Sequence, residues 1–215
     1  MGKNILVVAA TAKEINPFIE FTRTGDINNA DILISGIGLT ASTYHLAKQL
    51  ALKKYDLVIQ AGVAGCFDLR TPLGAVIAVK QDAIADQSVV ELERLKTLFD
   101  LNLVPQDQYP YKKGWLINTN KEVLKKTKLK IVKGISVNQI STSKQMIKFY
   151  REVFDPVTES MEGAALHYVC LMENVPFVQI RSISNYIGER NKKKWDMMDS
   201  IANLNDTLIK TINNY

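Results

Sequence analysis

Three polar side chains in this sequence, Glu14, Glu162 and Asn185, are of types that could act together on one small ligand. A carboxylate can take a proton from water, a second carboxylate can hold hydroxyl groups, and an amide can donate a hydrogen bond to a departing heterocycle. Cleavage of a bond between ribose and a purine needs one group of each kind. Each residue alone is a weak signal, because a glutamate such as Glu14 or Glu162 is also common where a helix begins.

Two glycine-containing segments follow predicted strands. Gly36-Ile37-Gly38 lacks the third glycine of a dinucleotide-binding fingerprint, so it favours a tight turn into a helix. Gly62-Val63-Ala64-Gly65 lacks the lysine and the Ser or Thr of a phosphate-binding loop, and predicts at most a close approach of the backbone to a ligand. His45 and His167 fall inside predicted helices, where a core or surface role is favoured over catalysis.

Apolar runs and segments of helical periodicity alternate along the chain, which indicates an α/β fold. The predicted strands are Asn4–Ala10, Asp31–Ser35, Asp56–Ala61, Ala75–Ala85, Ile131–Val137 and Pro176–Ser184. The predicted helices are Leu39–Lys53, Ser143–Glu152, Glu162–Glu173 and Ser200–Ile212, and Asp100–Gly114 predicts a long irregular loop. Since ligands bind beyond strand ends in open α/β sheets, we expect the segments that follow the strands to converge on one pocket.

Length and composition predict a single domain over residues 1–215, because a chain of 215 residues that is 47% hydrophobic can bury a core. The first apolar run is too short to span a membrane and lacks a signal-peptide cleavage site, so a cytoplasmic protein is expected. The net charge of +5 comes from dispersed lysines, which favours a solvated surface over nucleic-acid binding. Cys66 and Cys170 lack partners at ligand spacing and predict reduced core thiols and no metal.

The order of these segments resembles that of the nucleoside phosphorylase and nucleosidase superfamily. The resemblance covers nearly the whole chain and is carried by Ala10–Glu14, Ser35–Gly38, Gly62–Gly65, Glu159–Ala165 and Arg181–Asn185. Within the superfamily the chain is similar to the methylthioadenosine/S-adenosylhomocysteine nucleosidases, and more so to the futalosine hydrolases of the alternative menaquinone pathway. The resemblance implies a three-layer α/β/α sandwich around a central mixed sheet, no metal or cofactor, and a homodimer whose partner lends apolar residues to the pocket.

The resemblance also implies roles for individual positions in binding a purine nucleoside. They are the base that activates water (Glu14), the pair that holds the ribose (Met161 and Glu162), a wall of the base pocket (Gln139 and Ile140), and the residues that position the acidic group and the purine contact (Arg181 and Ser184).

Asn185 departs from the adenine-cleaving nucleosidases, which have an aspartate at this position. An asparagine offers an NH2 donor and a carbonyl acceptor but no titrating proton. Its amide can pair with N7 or O6 of a 6-oxopurine such as hypoxanthine, the base that futalosine carries. We therefore expect a preference for 6-oxopurine nucleosides.

Gln60 and Val63 depart from the phosphorylases of the superfamily, which bind phosphate through arginines and a serine, two of them in this segment. Neither residue is cationic or hydroxylic, so a buried phosphate would lack charge-assisted partners. Water is therefore the expected nucleophile. Val63 also replaces a serine of the methylthioadenosine enzymes, which places more demand on Glu14.

Candidate partners for the acidic end of such a substrate are Arg70, Arg190 and the run Lys192–Lys194, although a solvated role is favoured for each; Trp195 could cap the pocket or simply pack. Three other functions stay open. They are a methylthioadenosine/S-adenosylhomocysteine or aminofutalosine nucleosidase, a 6-oxopurine nucleoside phosphorylase, and a non-catalytic nucleoside sensor. Base preference, phosphate dependence and absence of base release would distinguish them in turn.

Overall fold

A computed structural model describes residues 3–25, 27 and 29–215 of the chain. The predicted domain range 1–215 includes Met1, Gly2, Asp26 and Asn28, which lie outside the described residues. The strands are β1 (Ile5–Ala9), β2 (Ala30–Ile34), β3 (Leu57–Cys66), β4 (Val76–Asp82), β5 (Ser88–Glu91), β6 (Arg94–Thr97), β7 (Tyr111–Lys112), β8 (Trp115–Ile117), β9 (Lys130–Ser136), β10 (Thr158–Ser160) and β11 (Phe177–Tyr186). The helices are α1 (Ala12–Thr22), α2 (Leu39–Leu52), α3 (Lys121–Lys126), α4 (Lys144–Phe154), α5 (Gly163–Met172) and α6 (Met197–Asn213).

Within the described residues, nine strands form one mixed sheet, and β5 pairs with β6 in a separate hairpin. Strand β3 is parallel to both β1 and β11, whereas β11 is antiparallel to β4. The pairs β4–β9, β9–β10 and β10–β3 then return to the starting strand, so five strands of the sheet close into a ring. Strands β1 and β2 extend the sheet outward from this ring at β3, and we call these two strands the wing.

Helices cover both faces of the wing. Strand β1 is buried along its whole length, and its side chains alternate between two apolar clusters. Ile5 and Val7 pack with side chains of α1 and α6, while Leu6 and Val8 pack with side chains of α2 and α5. The arrangement confirms the predicted α/β class and the layers of helix, mixed sheet and helix.

Most predicted elements are confirmed within a few residues, but two segments are placed differently from the prediction. Gly62–Gly65 and Asn185 were expected just beyond strand ends; both lie inside strands, β3 and β11. The two strands continue because they pair with each other through this region, from Phe177 opposite Val58 to Tyr186 opposite Cys66. The segment Asp100–Gly114 is mainly turns, as expected of an irregular loop, and ends in the short strand β7.

The remaining sequence predictions concern isolated side chains. Cys66 and Cys170 are free cysteines and both are buried, so their predicted location in the core is confirmed. His167 is fully buried in α5, where burial lowers its pKa to about 4. In the described part of the chain, no helix is long and apolar enough to cross a membrane.

Candidate active site

A cavity of about 310 Å³ lies beside one edge of β3, where two other strands, β1 and β10, pair with that edge one after the other. Strand β1 pairs with this edge from Leu57 to Gln60, and β10 pairs with it at Gly65 and Cys66. The short interval between them leaves backbone groups of β3 free to meet side chains or a ligand. Seven of the predicted site residues line the cavity: Glu14, Val63, Ile140, Met161, Glu162, Ser184 and Asn185.

The Glu14 carboxylate is held at this interval by three uncharged donors. Thr11 precedes the first turn of α1, and its backbone N–H and hydroxyl each donate to Oε2 of Glu14 at 3.1 Å. The Val63 N–H of β3 donates to Oε1, also at 3.1 Å. The carboxylate is thus oriented by a helix start and a strand edge together, while its side chain lines the cavity.

Glu162 lies at the start of α5 and is buried against the start of α2. The backbone N–H of Gly38 donates to its Oε1 at 3.0 Å. Burial raises the pKa of Glu162, whereas the nearby Arg181 and the Gly38 N–H act in the opposite direction. Gly38 has φ of 88°, a conformation that glycine adopts without the strain of a side chain.

Arg181 lies behind the carboxylates rather than among the residues that line the cavity. It is fully buried on β11, and its Nη2 donates to Oε1 of Gln60 at 2.7 Å and lies 3.7 Å from Oε2 of Glu162. The space beside it is open because position 62 is a glycine. A Cβ on Gly62 would collide with Nη1 of Arg181 and come within 3.0 Å of Oε1 of Glu14. The geometry therefore suits a positioning role for Arg181 better than direct contact with a ligand.

The Asn185 amide has a defined orientation. The register between β11 and β3 shifts by one residue at Ser184, which brings Ser184 and Asn185 to the cavity in succession. The Ser184 hydroxyl donates to Oδ1 of Asn185 at 3.0 Å, and Nδ2 donates to the Tyr186 carbonyl oxygen at 3.2 Å. Exchanging the amide O and N would put two carbonyl oxygens against each other. One N–H of Nδ2 is left over for a ligand.

Gln139 is an exception among the predicted site residues. It is exposed and lines a neighbouring cavity, where its backbone N–H lies 3.4 Å from a carboxylate oxygen of Asp86. Ile140 separates the two cavities and lines both of them.

Of the candidates for binding an acidic substrate group, some line the cavity and others lie outside it. Arg190 and Trp195 line the cavity, with the guanidinium 5.6 Å from the centre of the Trp195 ring. Arg70 is exposed and paired with Asp68 at 3.0 Å, and Lys192–Lys194 form an exposed turn of 3-10 helix. Neither Arg70 nor this turn is among the residues that line the cavity.

Several residues that line the cavity had no signal in the sequence as individual site residues, among them Lys13, Ile37 and Glu159. Glu159 is the most unusual of them, because it is a buried carboxylate within a three-residue strand. A strand this short has no alternation of polar and apolar residues, so its pattern could not indicate that Glu159 points inward.

The cavity is electrostatically suited to a positive charge. Three carboxylates line it, on Glu14, Glu159 and Glu162, while Arg181 is already bound to Gln60 and close to Glu162. The side chains of Lys13 and Arg190 are largely exposed at the rim. A phosphate dianion at the centre would face like charges, whereas a cationic sugar would be stabilised. In the described residues, no group of three His, Cys, Asp or Glu side chains is placed to hold a metal ion.

The protein has an α/β fold of the nucleoside phosphorylase-like class. This class is defined by the mixed sheet, the helices that cover it, and the cavity beside β3 between its pairings with β1 and β10. The family model described as Phosphorylase superfamily matches residues 3–212. The chain belongs to this superfamily, which confirms the resemblance seen in its motifs.

Among curated proteins, the chain is 24% identical over 185 residues to a futalosine hydrolase of Streptomyces coelicolor, covering 84% of this chain and 77% of the relative. It is 28% identical over 187 residues to a 5'-methylthioadenosine/S-adenosylhomocysteine nucleosidase of Maridesulfovibrio salexigens, covering 80% of this chain and 76% of the relative.

Two solved structures from Helicobacter pylori share the fold. A mutant of the 5'-methylthioadenosine/S-adenosylhomocysteine nucleosidase (MTAN), with 5'-methylthioadenosine in its active site, superposes with a TM-score of 0.83. The identity is 23%, and the match covers 100% of both chains. A native futalosine hydrolase superposes with a TM-score of 0.78 at 21% identity, covering 99% of this chain and 98% of the other.

Proposed function

We propose that the protein is a nucleosidase that hydrolyses the N-glycosidic bond of futalosine and releases hypoxanthine and dehypoxanthine futalosine. The observation that carries the proposal is the oriented amide of Asn185 in a cavity that also holds Glu14 and Glu162. Membership of the superfamily and the similarity to both nucleosidases and a futalosine hydrolase support the reaction class.

In the proposed reaction the bond between ribose and base breaks through an oxocarbenium-like transition state. Glu162 holds the ribose hydroxyls beside Met161, and its negative charge favours the cationic sugar. Glu14 takes the proton of the attacking water. Asn185 donates a hydrogen bond to the departing purine, which leaves as the anion and takes a proton from solvent, while Glu14 returns its proton to solvent. Arg181 acts indirectly by holding Glu162 in place.

Hydrolysis is favoured over phosphorolysis by the charge of the cavity. Gln60 is buried and does not face a ligand as a free donor, because its Nε2 donates to the Glu162 backbone oxygen while its Oε1 accepts from Arg181. Val63 offers an apolar side chain, and its backbone N–H is already bonded to Glu14. A phosphate would therefore meet carboxylates instead of cations, and burying such an anion unpaired is costly.

The base preference follows from the hydrogen bonds of the amide. With Oδ1 of Asn185 turned toward the Ser184 hydroxyl, the group left for a ligand on Nδ2 is an N–H donor, which suits N7 and O6 of a 6-oxopurine. The exocyclic amine of adenine, in the place of O6, would set a second donor against this N–H. A buried mismatch of this kind costs on the order of 1–3 kcal/mol.

A direct test is to incubate the purified protein with futalosine, aminofutalosine, inosine and methylthioadenosine, with and without phosphate, and to identify the released base. We expect release of hypoxanthine from futalosine at the same rate with or without phosphate, and a lower kcat/KM for aminofutalosine. Strict dependence on phosphate would overturn the hydrolase assignment, and an equal or higher kcat/KM for aminofutalosine would overturn the base preference.

The second candidate is a methylthioadenosine/S-adenosylhomocysteine or aminofutalosine nucleosidase, which is favoured by the 28% identity to a nucleosidase of the first kind. It would use the same Glu14 and Glu162 but cleave 6-aminopurine nucleosides. The same assay distinguishes it, because adenine would then be the main product.

We also propose that the working form is a homodimer. Ile37 and Ile140 line the cavity yet are 62% and 46% exposed, which leaves an apolar rim that a second copy could cover. Light scattering at assay concentrations should give twice the 24.1 kDa mass of one chain. A monomeric mass with full activity would contradict this.

A further inference from the structure

Glu159 and Asn185 stand on opposite sides of the same glycine. On β10, Glu159 is the register partner of Gly65, and on β11, Asn185 is the register partner of Gly65 as well. Adjacent strands are about 4.8 Å apart, so the two backbones flank a gap of roughly 10 Å with β3 in its middle. Both side chains line the cavity.

Gly65 makes room at the centre of this gap for the side chain of Ile187. A Cβ at position 65 would collide with Cδ1 of Ile187 and would lie 3.4 Å from Nδ2 of Asn185. Ile187 also lines the cavity, so a flat heterocycle can lie against this apolar side chain with one edge toward the Asn185 amide and the adjoining edge toward the Glu159 carboxylate.

The Glu159 carboxylate is held in a fixed place by a single residue. The Ser141 backbone N–H donates to its Oε1 at 3.0 Å, and the Ser141 hydroxyl donates to Oε2. The residue is only 5% exposed, and burial raises its pKa while the two bonds from Ser141 act in the opposite direction. A carboxylate has about four acceptor sites, so these two bonds leave capacity for a ligand donor. The proposed hydrolysis makes no use of this group.

The two purine classes differ most at the edge that Glu159 would face. A 6-oxopurine carries a hydrogen on N1 and is a donor there, whereas a 6-aminopurine has a bare N1 that can only accept. O6 is carried by the carbon next to N1 and N7 lies beyond it, on the adjoining edge of the base, where the N–H of Asn185 is available.

Resting on the proposed function, we propose that Glu159 is a specificity-determining residue that accepts the N1–H of the purine, so that Glu159 and Asn185 together select a 6-oxopurine. A 6-aminopurine in the same position would set its N1 lone pair against the carboxylate. The alternative is that Glu159 only ties the segment at Ser141 to β10, in which case changing it would affect all substrates equally.

The test compares the unmodified protein with Glu159→Gln on futalosine and aminofutalosine. In the variant, the amide oxygen can still accept from the Ser141 N–H, and the new NH2 group would face N1. We expect the ratio of kcat/KM for futalosine to that for aminofutalosine to fall about 10- to 100-fold. Glu173→Gln, an exposed glutamate at the end of α5, is the matched control and should leave the ratio unchanged. An equal loss on both substrates would overturn the role of Glu159.

A second measurement does not depend on the variant folding. Hypoxanthine and its 1-deaza analogue have nearly the same shape, but the analogue carries C–H in place of N1–H. Calorimetric titration of the unmodified protein should show hypoxanthine binding at least about 10-fold more tightly. Equal affinities would overturn the proposal.

The outcomes also separate this inference from the proposed function. If the unmodified protein cleaves futalosine and the ratio in Glu159→Gln does not change, the inference fails and the proposed function stands. If the unmodified protein does not cleave futalosine, the proposed function fails, and tighter binding of hypoxanthine than of its 1-deaza analogue would still support a 6-oxopurine site.

Discussion

The carboxylate of Glu14 is oriented by two backbone N–H groups and one hydroxyl. None of these donors carries a formal charge, so the carboxylate is held in place without being paired to a cation. A general base needs this combination of fixed geometry and an available lone pair.

Glu14→Gln tests this role at the level of one residue. The amide keeps the size of the side chain but cannot take a proton from water, so we expect kcat to fall at least about 100-fold while substrate binding is largely kept. Steady-state kinetics and the affinity for a non-cleavable nucleoside analogue are the measurements. Glu20→Gln on the exposed side of the same helix is the control. Near-full activity in Glu14→Gln would show that another group activates the water.

At the scale of elements, the interval between Gln60 and Gly65 on β3 is the feature on which the site depends. Strand β1 ends its pairing at Gln60 and β10 begins at Gly65, so the Val63 N–H is free to bind Glu14. On the other edge, β11 stays paired and carries Arg181 opposite Gly62 and Asn185 opposite Gly65. One strand thereby sets the relative positions of the base, the buried arginine and the purine contact.

Gly62→Ala tests whether the packing of Arg181 against β3 matters. Arg181 is 1% exposed and has no path to solvent, so the added methyl must displace it together with Glu162 or push Glu14 aside. We expect kcat/KM to fall on the order of 10- to 100-fold and the free energy of unfolding to fall by about 1–3 kcal/mol.

Gly25→Ala is the control for this substitution, because Gly25 has φ of 87° in a turn where an added Cβ would contact nothing within 4 Å. The control should lower stability through backbone strain alone and leave kcat/KM unchanged. Unchanged kinetics in Gly62→Ala would mean that the packing of Arg181 does not position the carboxylates.

At the scale of the whole molecule, two buried titratable groups give stability opposite dependences on pH. Burial raises the pKa of Asp82 to about 6 and lowers that of His167 to about 4. Between about pH 4 and 6 the folded state holds a proton on Asp82 that the unfolded state has lost, so this contribution falls as pH rises. Over nearly the same range the unfolded state holds a proton that folded His167 lacks, so this contribution rises with pH.

Asp82→Asn should remove one of these two opposing contributions. Relative to the unmodified protein, the variant should gain up to about 3 kcal/mol of unfolding free energy as pH increases from about 4 to above 6, since each pKa unit corresponds to about 1.4 kcal/mol. Urea unfolding at several pH values measures the difference, with the exposed Asp206→Asn as control. If the stability curves of Asp82→Asn and the unmodified protein ran parallel over this pH range, the pKa of Asp82 would not be raised in the folded state.

Much of the fold and part of the candidate site could be predicted from the sequence. The apolar run of β1 and the helical spacing in α2 depend on neighbours in the chain, so their patterns indicated the elements to within a few residues. The residue types of Glu14, Glu162 and Asn185 likewise indicated the chemistry, because a carboxylate or an amide has the same functional groups wherever it lies.

Only the tertiary structure decided which of these groups meet. Glu159 was not singled out because it has no local pattern, and Arg181 was expected at the ligand although β11 buries it behind Glu162. Gly65 joins Glu159 and Asn185 through the pairing of β3 with β10 and β11. The physical reason is that strand register comes from hydrogen bonds between segments far apart in the chain, and it is these bonds, not the sequence around each residue, that determine which side chains face the same cavity.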